Sequence, residues 1–315
     1  MNIDVSEIKT FKACKRQWQL SSRNQFHLRP KVTPPQFALG TLFHESLAQL
    51  YLEVPLEKVM NMIKREMISD NEAALLAMIP GYAKEVLPGD LERFKVLDVE
   101  YHFDIVPTNS DGEILVDDLH IVGSIDMVVI EIDTNKIYGF EHKTCKTFRD
   151  ESFLWMDEQP RVYTWALKKF VNEYNSRKLS EWEDAAAAAD AANATIPEKP
   201  EPATLGGIYL NEVKKLLRQF QYNRVLCTYS ESDMNNFMDT FLKTAITCKH
   251  TAEQGGYKAP SPSYFNCQMC NFKTICATYM YEELDKKAVL DEFVEEFEER
   301  TEDHLEEKTE RSNDK

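Results

Sequence analysis

Two short stretches carry the residue types that hydrolytic chemistry needs. GSIDMVV (123–129) sets Asp126 among apolar residues, and GFEHKT (139–144) sets Glu141 and Lys143 two apart. Residues two apart on a β-strand share a face, so the Glu141 and Lys143 side chains point the same way. If the two strands pair through the turn at 133–135, Asp126 lies across from Glu141. Two carboxylates held close cannot both ionise cheaply unless a cation sits with them. Hard oxygen ligands with open water positions suit Mg²⁺ or Mn²⁺. A lysine beside them can orient or deprotonate water and stabilise charge on phosphorus. Taken alone, E-x-K also suits a surface strand of alternating charge. The apolar surroundings of Asp126 favour the first reading, because burying an unpaired aspartate is costly and ligation removes that cost.

The cysteines form a second constellation. Cys267, Cys270 and Cys276 follow a C-x2-C-x5-C pattern in a Pro-bounded loop. Three such thiols need a fourth ligand for a tetrahedral thiolate set, and Cys14 is the candidate. So long a separation is unlike a local zinc knuckle. It would clamp the N-terminal helix to the C-terminal loop. Spacing alone leaves zinc, an iron–sulfur cluster and plain packing all open. Cys145, Cys227 and Cys248 have no partner at ligand spacing and read as core or incidental cysteines.

Elements able to position these groups are legible in the hydrophobic period. Residues 5–20 and 37–66 read as helices, with Phe43, Leu47, Leu50 and Tyr51 at helical spacing. Residues 70–95 read as helix interrupted by Pro80, Gly81 and Pro88. Residues 96–105, 120–133 and 136–144 are rich in β-branched and aromatic residues and predict three strands in a meander. A helix is expected over about 157–177, strands over 205–210 and 222–228, a helix over about 231–254, and a loop with a short helix over 259–280. Residues 183–202 are low complexity: the alanine run can extend a helix, and the Pro/Glu end reads as linker. The order predicts an α/β fold, a mixed central β-sheet flanked by helices.

The 315-residue chain carries a net charge of −16. Such acidity argues against a generic nucleic-acid binder, which needs Lys and Arg for phosphate. Much of it is local: residues 281–315 hold 15 acids and 6 bases, a net of −9. That tail reads as an acidic amphipathic helix, with Leu284, Val289, Phe293, Val294 and Phe297 as one stripe, or as disordered. There is no run of about 18 apolar residues and no secretion-type start, so an intracellular, cytoplasmic protein is expected.

In this order along the chain the motifs resemble the PD-(D/E)XK nucleases, in the branch similar to RecB and the CRISPR-associated exonucleases. Asp126 and Glu141-His142-Lys143 match that family's aspartate and E-x-K. Gly40 to His44 matches its G-x-x-x-H, and Gln159 to Tyr163 its Q-x-x-x-Y. Cys14, with Trp18 four residues on, and Cys267, Cys270 and Cys276 match its split cysteine set. The resemblance implies a restriction-endonuclease-like core over residues 1–280, with low-complexity insertion 183–202 and tail 281–315 apart. An iron–sulfur module would staple the N- and C-terminal helical regions. It implies Asp126, Glu141, Lys143, Gln159 and Tyr163 as catalytic residues and a metal site drawn from His44, Asp126, Glu141 and His142. The cofactors implied are Mg²⁺ or Mn²⁺ and a [4Fe–4S] cluster on the four cysteines, with Zn²⁺ the alternative there. The activity implied is in-line attack of water on the phosphodiester of DNA, single-stranded or end-containing duplex, in recombination, replication, repair or CRISPR spacer acquisition. No GxxxxGK[ST] motif occurs, so a helicase or recombination partner would be a separate protein. A non-catalytic DNA-binding or scaffolding protein that keeps the fold is the alternative. Pro160 directly follows Gln159, and proline is comfortable only in a first helical turn. The helix must therefore begin near Asp157 or kink there.

Overall fold

The computed structural model describes residues 1–31, 35–66, 73–108, 113–256 and 259–278, with the backbone of 293–295. In chain order the elements begin β1 (Asn2–Ile3), α1 (Val5–Ala13), α2 (Lys15–Ser21), β2 (Leu28–Pro30), α3 (Pro35–Tyr51), α4 (Leu56–Glu66), α5 (Leu75–Glu85) and α6 (Leu87–Arg93). The strands β3 (Phe94–Ile105), β4 (His120–Glu131) and β5 (Lys136–Cys145) follow, then α7 (Glu151–Met156) and α8 (Glu158–Ala191). The chain continues through β6 (Thr204–Lys214), β7 (Tyr222–Cys227), α9 (Glu231–Glu253), α10 (Tyr264–Gln268), α11 (Lys273–Thr278) and β8 (Phe293–Glu295). Two compact units result: Thr33–Lys243, and Met1–Val32 with Thr244–Lys315.

In the Thr33–Lys243 unit the strands lie in the order β3, β4, β5, β6, β7. The expected meander β3–β4–β5 is antiparallel, β5 and β6 are parallel, and β6–β7 is antiparallel. A parallel neighbour needs a crossover, which α7 and α8 supply. This is the mixed sheet with flanking helices that the residue order predicts. The central strands are buried nearly continuously, as covered strands should be: Met127 to Glu131 on β4 and Ile137 to His142 on β5. Phe43, Leu47 and Tyr51 of α3, Tyr82 of α5, and Phe140 and Tyr209 of the sheet form its core. Phe94, Tyr138, Phe140 and Tyr209 meet mostly edge to face, the arrangement aromatic quadrupoles prefer.

Three helical expectations change in detail. The helix over 37–66 is two helices, because Glu53 adopts a left-handed φ of 59° and Pro55 follows. The helix at 157 starts where Pro160 requires: Asp157 caps α8 and its side chain accepts the N–H of Gln159 at 2.9 Å. The alanine run then carries α8 on to Ala191, consistent with alanine's high helix propensity. The linker after it is held to the helix, since Asn175 exchanges two hydrogen bonds with the backbone of Ala203 and Trp182 Nε1 donates to the Pro197 carbonyl.

In the other unit the expected helix over 5–20 is broken at Cys14, whose backbone is extended. Trp18 and Phe11 pack edge to face at 5.0 Å across the break. Leu20, Leu28, Phe272 and Ile275 make a small core of their own. The loop at 259–280 carries two short helices, α10 and α11. Of the acidic tail only Phe293–Glu295 is described, and it is a strand paired antiparallel with β2 instead of part of a helix. The rest of the proposed stripe lies outside the described residues. No helix among the described residues is long and apolar enough to cross a membrane.

Candidate active site

The β4–β5 register sets Met127 opposite Phe140. One step further along the same register, Asp126 falls opposite Glu141, as the hairpin reading requires. The backbone pairing stops there, and a side chain takes over: Asp126 Oδ2 accepts the N–H of His142 at 2.7 Å. Asp126 Oδ1 meets Nδ1 of His44, on α3, at 3.1 Å. Glu141 is almost wholly buried, with its side chain 3% exposed. Its Oε1 accepts from Gln159 Nε2 at 2.8 Å and pairs with Lys143 Nζ. Gln159 Nε2 also lies 2.9 Å from the Tyr163 hydroxyl, one helical turn on. Two bonded groups result, His44 with Asp126, and Lys143, Gln159 and Tyr163 around Glu141, and the backbone N–H of His142, next to Glu141 in the chain, links the first to the second.

His142 joins them differently. Strand alternation sends its ring to the face opposite Glu141 and Lys143, where it packs near Tyr51, Tyr82 and Phe140. Its link to Asp126 is the backbone N–H. Burial pushes the imidazole down to about 3, so the ring is neutral.

The charges are arranged unequally. Burial, and then the neighbouring Asp126, push the Glu141 carboxyl upward. Asp126 resists burial's upward pull and sits below the usual carboxylate range because His44 and the His142 N–H bond its ionised form. Burial opposes the charge on Lys143, yet Glu141 raises its pKa above the ordinary value. Within this compact unit two adjacent carboxyls are pushed apart in acidity, the pattern expected where one site must hold both charge and proton.

The model of the PD-(D/E)XK nuclease superfamily matches residues 3–277. The chain belongs to the PD-(D/E)XK nuclease superfamily. Among solved structures, this nuclease is similar to the "Putative exonuclease" of Eubacterium rectale, at 9% identity over 90% of each chain and a TM-score of 0.46. It is also similar to SSO0001, at 13% identity over 87% of this chain and 85% of that one, with a TM-score of 0.34. No curated protein matches the sequence.

PD-(D/E)XK nucleases generally use divalent metals, and the donors here fit a hard cation. Glu141 Oε2 is buried and has no hydrogen-bond partner among the described residues, an arrangement that costs free energy unless a cation or water meets it. Among the described residues no three His, Cys, Asp or Glu side chains are already drawn into a ligand shell. Gly40, one turn before His44, is not needed for packing against the described residues, none of which a Cβ there would meet within 4 Å.

Behind the candidate site lies a polar network that spacing did not reveal. Asn211 on β6 pairs with His142 in the sheet register and its Nδ2 lies 3.4 Å from the ring Nδ1. Asn211 Oδ1 accepts from Arg224 Nε at 2.6 Å, and Arg224 grips both oxygens of buried Asp90 at 2.6 Å each. Tyr51 and Tyr82 complete it, Tyr51 donating to Asp90. Buried Glu212, next along β6, takes Arg149 Nε at 2.8 Å. Acid–base pairs so distant in sequence leave no local signal; only the run of apolar residues around Asn211 and Glu212 hints that they need partners.

In the other unit, Cys14, Cys267, Cys270 and Cys276 line one apolar cavity, and all are free thiols. Cys14 Sγ accepts the N–H of Ser261 at 3.4 Å, and Asn266 Nδ2 donates to the Ala13 carbonyl at 3.4 Å. The two cysteine segments are therefore in contact. Burial raises the Cys276 thiol, while the Arg16 guanidinium beside it pulls the other way. Four thiols lining one cavity are donors of the kind a thiophilic metal takes, although among the described residues no three of them are already drawn into a ligand shell. Cys227 and Cys248 are buried, as core cysteines should be, and Cys145 is half-buried.

Proposed function

We propose that this PD-(D/E)XK protein is a divalent-metal-dependent deoxyribonuclease, an exonuclease of the branch similar to RecB and the CRISPR-associated exonucleases. The observation that carries this reading is the buried Glu141 Oε2, unpartnered among the described residues, across the strand pair from an Asp126 held by His44 and the His142 N–H. His44, Asp126 and Glu141 would hold Mg²⁺ or Mn²⁺, with the His142 main chain fixing Asp126. A cation bound there would neutralise phosphate charge and acidify water. Lys143 would orient the attacking water and meet charge on the phosphate. Gln159, braced by Tyr163, would hold Glu141 Oε1 so that Oε2 faces the cation. Residues 1–280 would act as one nuclease domain, with 183–202 an insertion and 281–315 a tail.

The four cysteines would carry a [4Fe–4S] cluster whose role is structural, tying the two ends of the chain. Substrate would be DNA with a free end, processed beside a separate helicase or recombination protein. The test is cleavage of end-labelled single- and double-stranded DNA with Mg²⁺ or Mn²⁺, beside the Glu141→Ala protein. Metal-dependent shortening by the parent and none by the variant supports the reading. Full activity in purified Glu141→Ala protein, or binding without any cleavage by the parent, removes it.

A further inference from the structure

An acidic nuclease must still attract a polyanion, and two acid-free stretches address this. Residues 142–149 (HKTCKTFR) and 213–230 (VKKLLRQFQYNRVLCTYS) contain no Asp or Glu. The parallel pairing of β5 and β6 brings them together: Cys145 registers with Lys214, and Lys215 N donates to the Cys145 carbonyl at 2.8 Å. Lys214 Nζ sits 4.4 Å from the centre of the Phe148 ring. Lys146 is exposed. Lys215 is half-buried, and burial and then the charge of Lys146 hold it below the ordinary lysine value. Lys143 begins the same edge, at Glu141.

The chain then enters α7, which buries only Leu154. Phe153, Trp155 and Met156 are 69%, 42% and 61% exposed. The Trp155 ring meets Tyr229 at 5.5 Å, and Arg161 covers Tyr229 at 4.9 Å while bonding the Trp155 carbonyl. This platform is fixed in place: Asp150 caps α7, and Arg149 ties the preceding turn to buried Glu212. Three residues after Met156, Gln159 touches Glu141, a chain distance of at most roughly 11 Å. Exposed rings beside cations match unpaired bases, whose faces are open to stacking; in a duplex those faces are already covered.

We propose that the acid-free ends of β5 and β6 and the exposed face of α7 form a lane for single-stranded DNA that leads to Glu141. Phe153 and Trp155 stack on bases, and Lys146 and Lys215 contact phosphates. Its direction toward Glu141 rests on the nuclease reading; the binding itself does not.

The test is fluorescence anisotropy of labelled oligothymidylate, oligouridylate and a blunt DNA duplex on the full chain in EDTA, where cleavage cannot intervene. The Phe153→Ala/Trp155→Ala protein should bind oligothymidylate at least about tenfold more weakly, with duplex affinity changed less than about twofold. Trp155→Phe should restore most of the loss, because the ring is what matters. Lys146→Ala/Lys215→Ala should make the salt dependence shallower by about 1.4 in log–log slope, the value for two phosphates on a single strand. Phe153, Trp155 and Lys146 are exposed and Lys215 is half-buried, and circular dichroism checks the fold. Unchanged oligothymidylate affinity in the aromatic variant, or equal losses on duplex and single strand, overturns the lane. Tighter binding of oligouridylate than oligothymidylate overturns the assignment to DNA. A protein that binds oligothymidylate through these residues yet never cuts it upholds the lane while removing the nuclease reading.

Discussion

The backbone N–H of His142 donates to Asp126 Oδ2 at 2.7 Å, where the β4–β5 ladder ends. A carboxylate thus replaces a carbonyl as acceptor, and its orientation is set by the main chain of the strand that carries Glu141. Asp126→Asn keeps an oxygen to accept that bond but removes the charge. Cleavage should fall by at least about a hundredfold, typical of losing a preorganised electrostatic group. The circular dichroism spectrum should be unchanged. A gel assay beside thermal unfolding checks both, and retained cleavage would dismiss Asp126.

Gln159 Nε2 is shared between Glu141 Oε1 and the Tyr163 hydroxyl. Gln159→Ala should leave Glu141 Oε1 held by Lys143 alone and slow cleavage by about tenfold, partly restored by more Mn²⁺. Gln159→Glu sets a third carboxyl against Glu141 and should be the worse variant. Titrations of rate against metal concentration separate the two; equal rates in both would show that Gln159 does not act through Glu141.

The Asp90–Arg224 pair is buried, so each partner depends on the other. Asp90→Ala strands the guanidinium and should cost about 3–5 kcal/mol in urea unfolding. Replacing both, as Asp90→Leu/Arg224→Met, should recover most of that stability, since apolar substitutes avoid desolvating charge. Additive losses in the double variant would contradict a mutually dependent pair.

Gly40 lies inside α3 and meets no neighbour that a Cβ would disturb. Gly40→Ala should therefore stabilise the protein by about 0.5–1 kcal/mol, the ordinary gain in a helix. If the space beside His44 receives the DNA backbone, the same change should lower cleavage several-fold. Raised stability with unchanged turnover would mean that the glycine serves neither packing nor substrate.

Protein purified without oxygen should be brown and contain iron, and Cys14→Ser should lower both iron content and thermal stability. The loss should fall on the fold more than on cleavage, because a cluster on these cysteines would tie the chain ends together. A colourless protein with zinc at the same four thiols would refute the cluster while keeping the ligand set.

The sequence reveals the strands and the carboxylates because both follow a period of two. Once Glu141 and Lys143 share a face, the Asp126 position follows from the hairpin; the same alternation turns the ring of His142, expected among the metal ligands, to the other face, beside Tyr51 and Tyr82. Gln159 and Tyr163 are legible because four residues make one helical turn, and Pro160 fixes where that turn begins. What could not be read is set by chain reversal over long distances. Asn211 stands beside His142 only because β6 returns parallel to β5 after two helices. Arg224 finds Asp90 across 134 residues. The break at Cys14 is equally silent, since the helical period runs through it while the backbone does not.

Helix α8 has 34 residues, about 51 Å at 1.5 Å each, yet its buried residues end at Val171. Asn175 binds the returning chain at Ala203, and Trp182 binds it again at Pro197. These two ties divide the excursion into an inner part fastened to β6 and an outer part fastened only to itself. Evolution is free to lengthen or shorten the outer part without re-registering the sheet. An experimenter can use the same freedom: a dye, an affinity tag or a fused partner placed near Ala192 would travel with the nuclease and leave its strands alone.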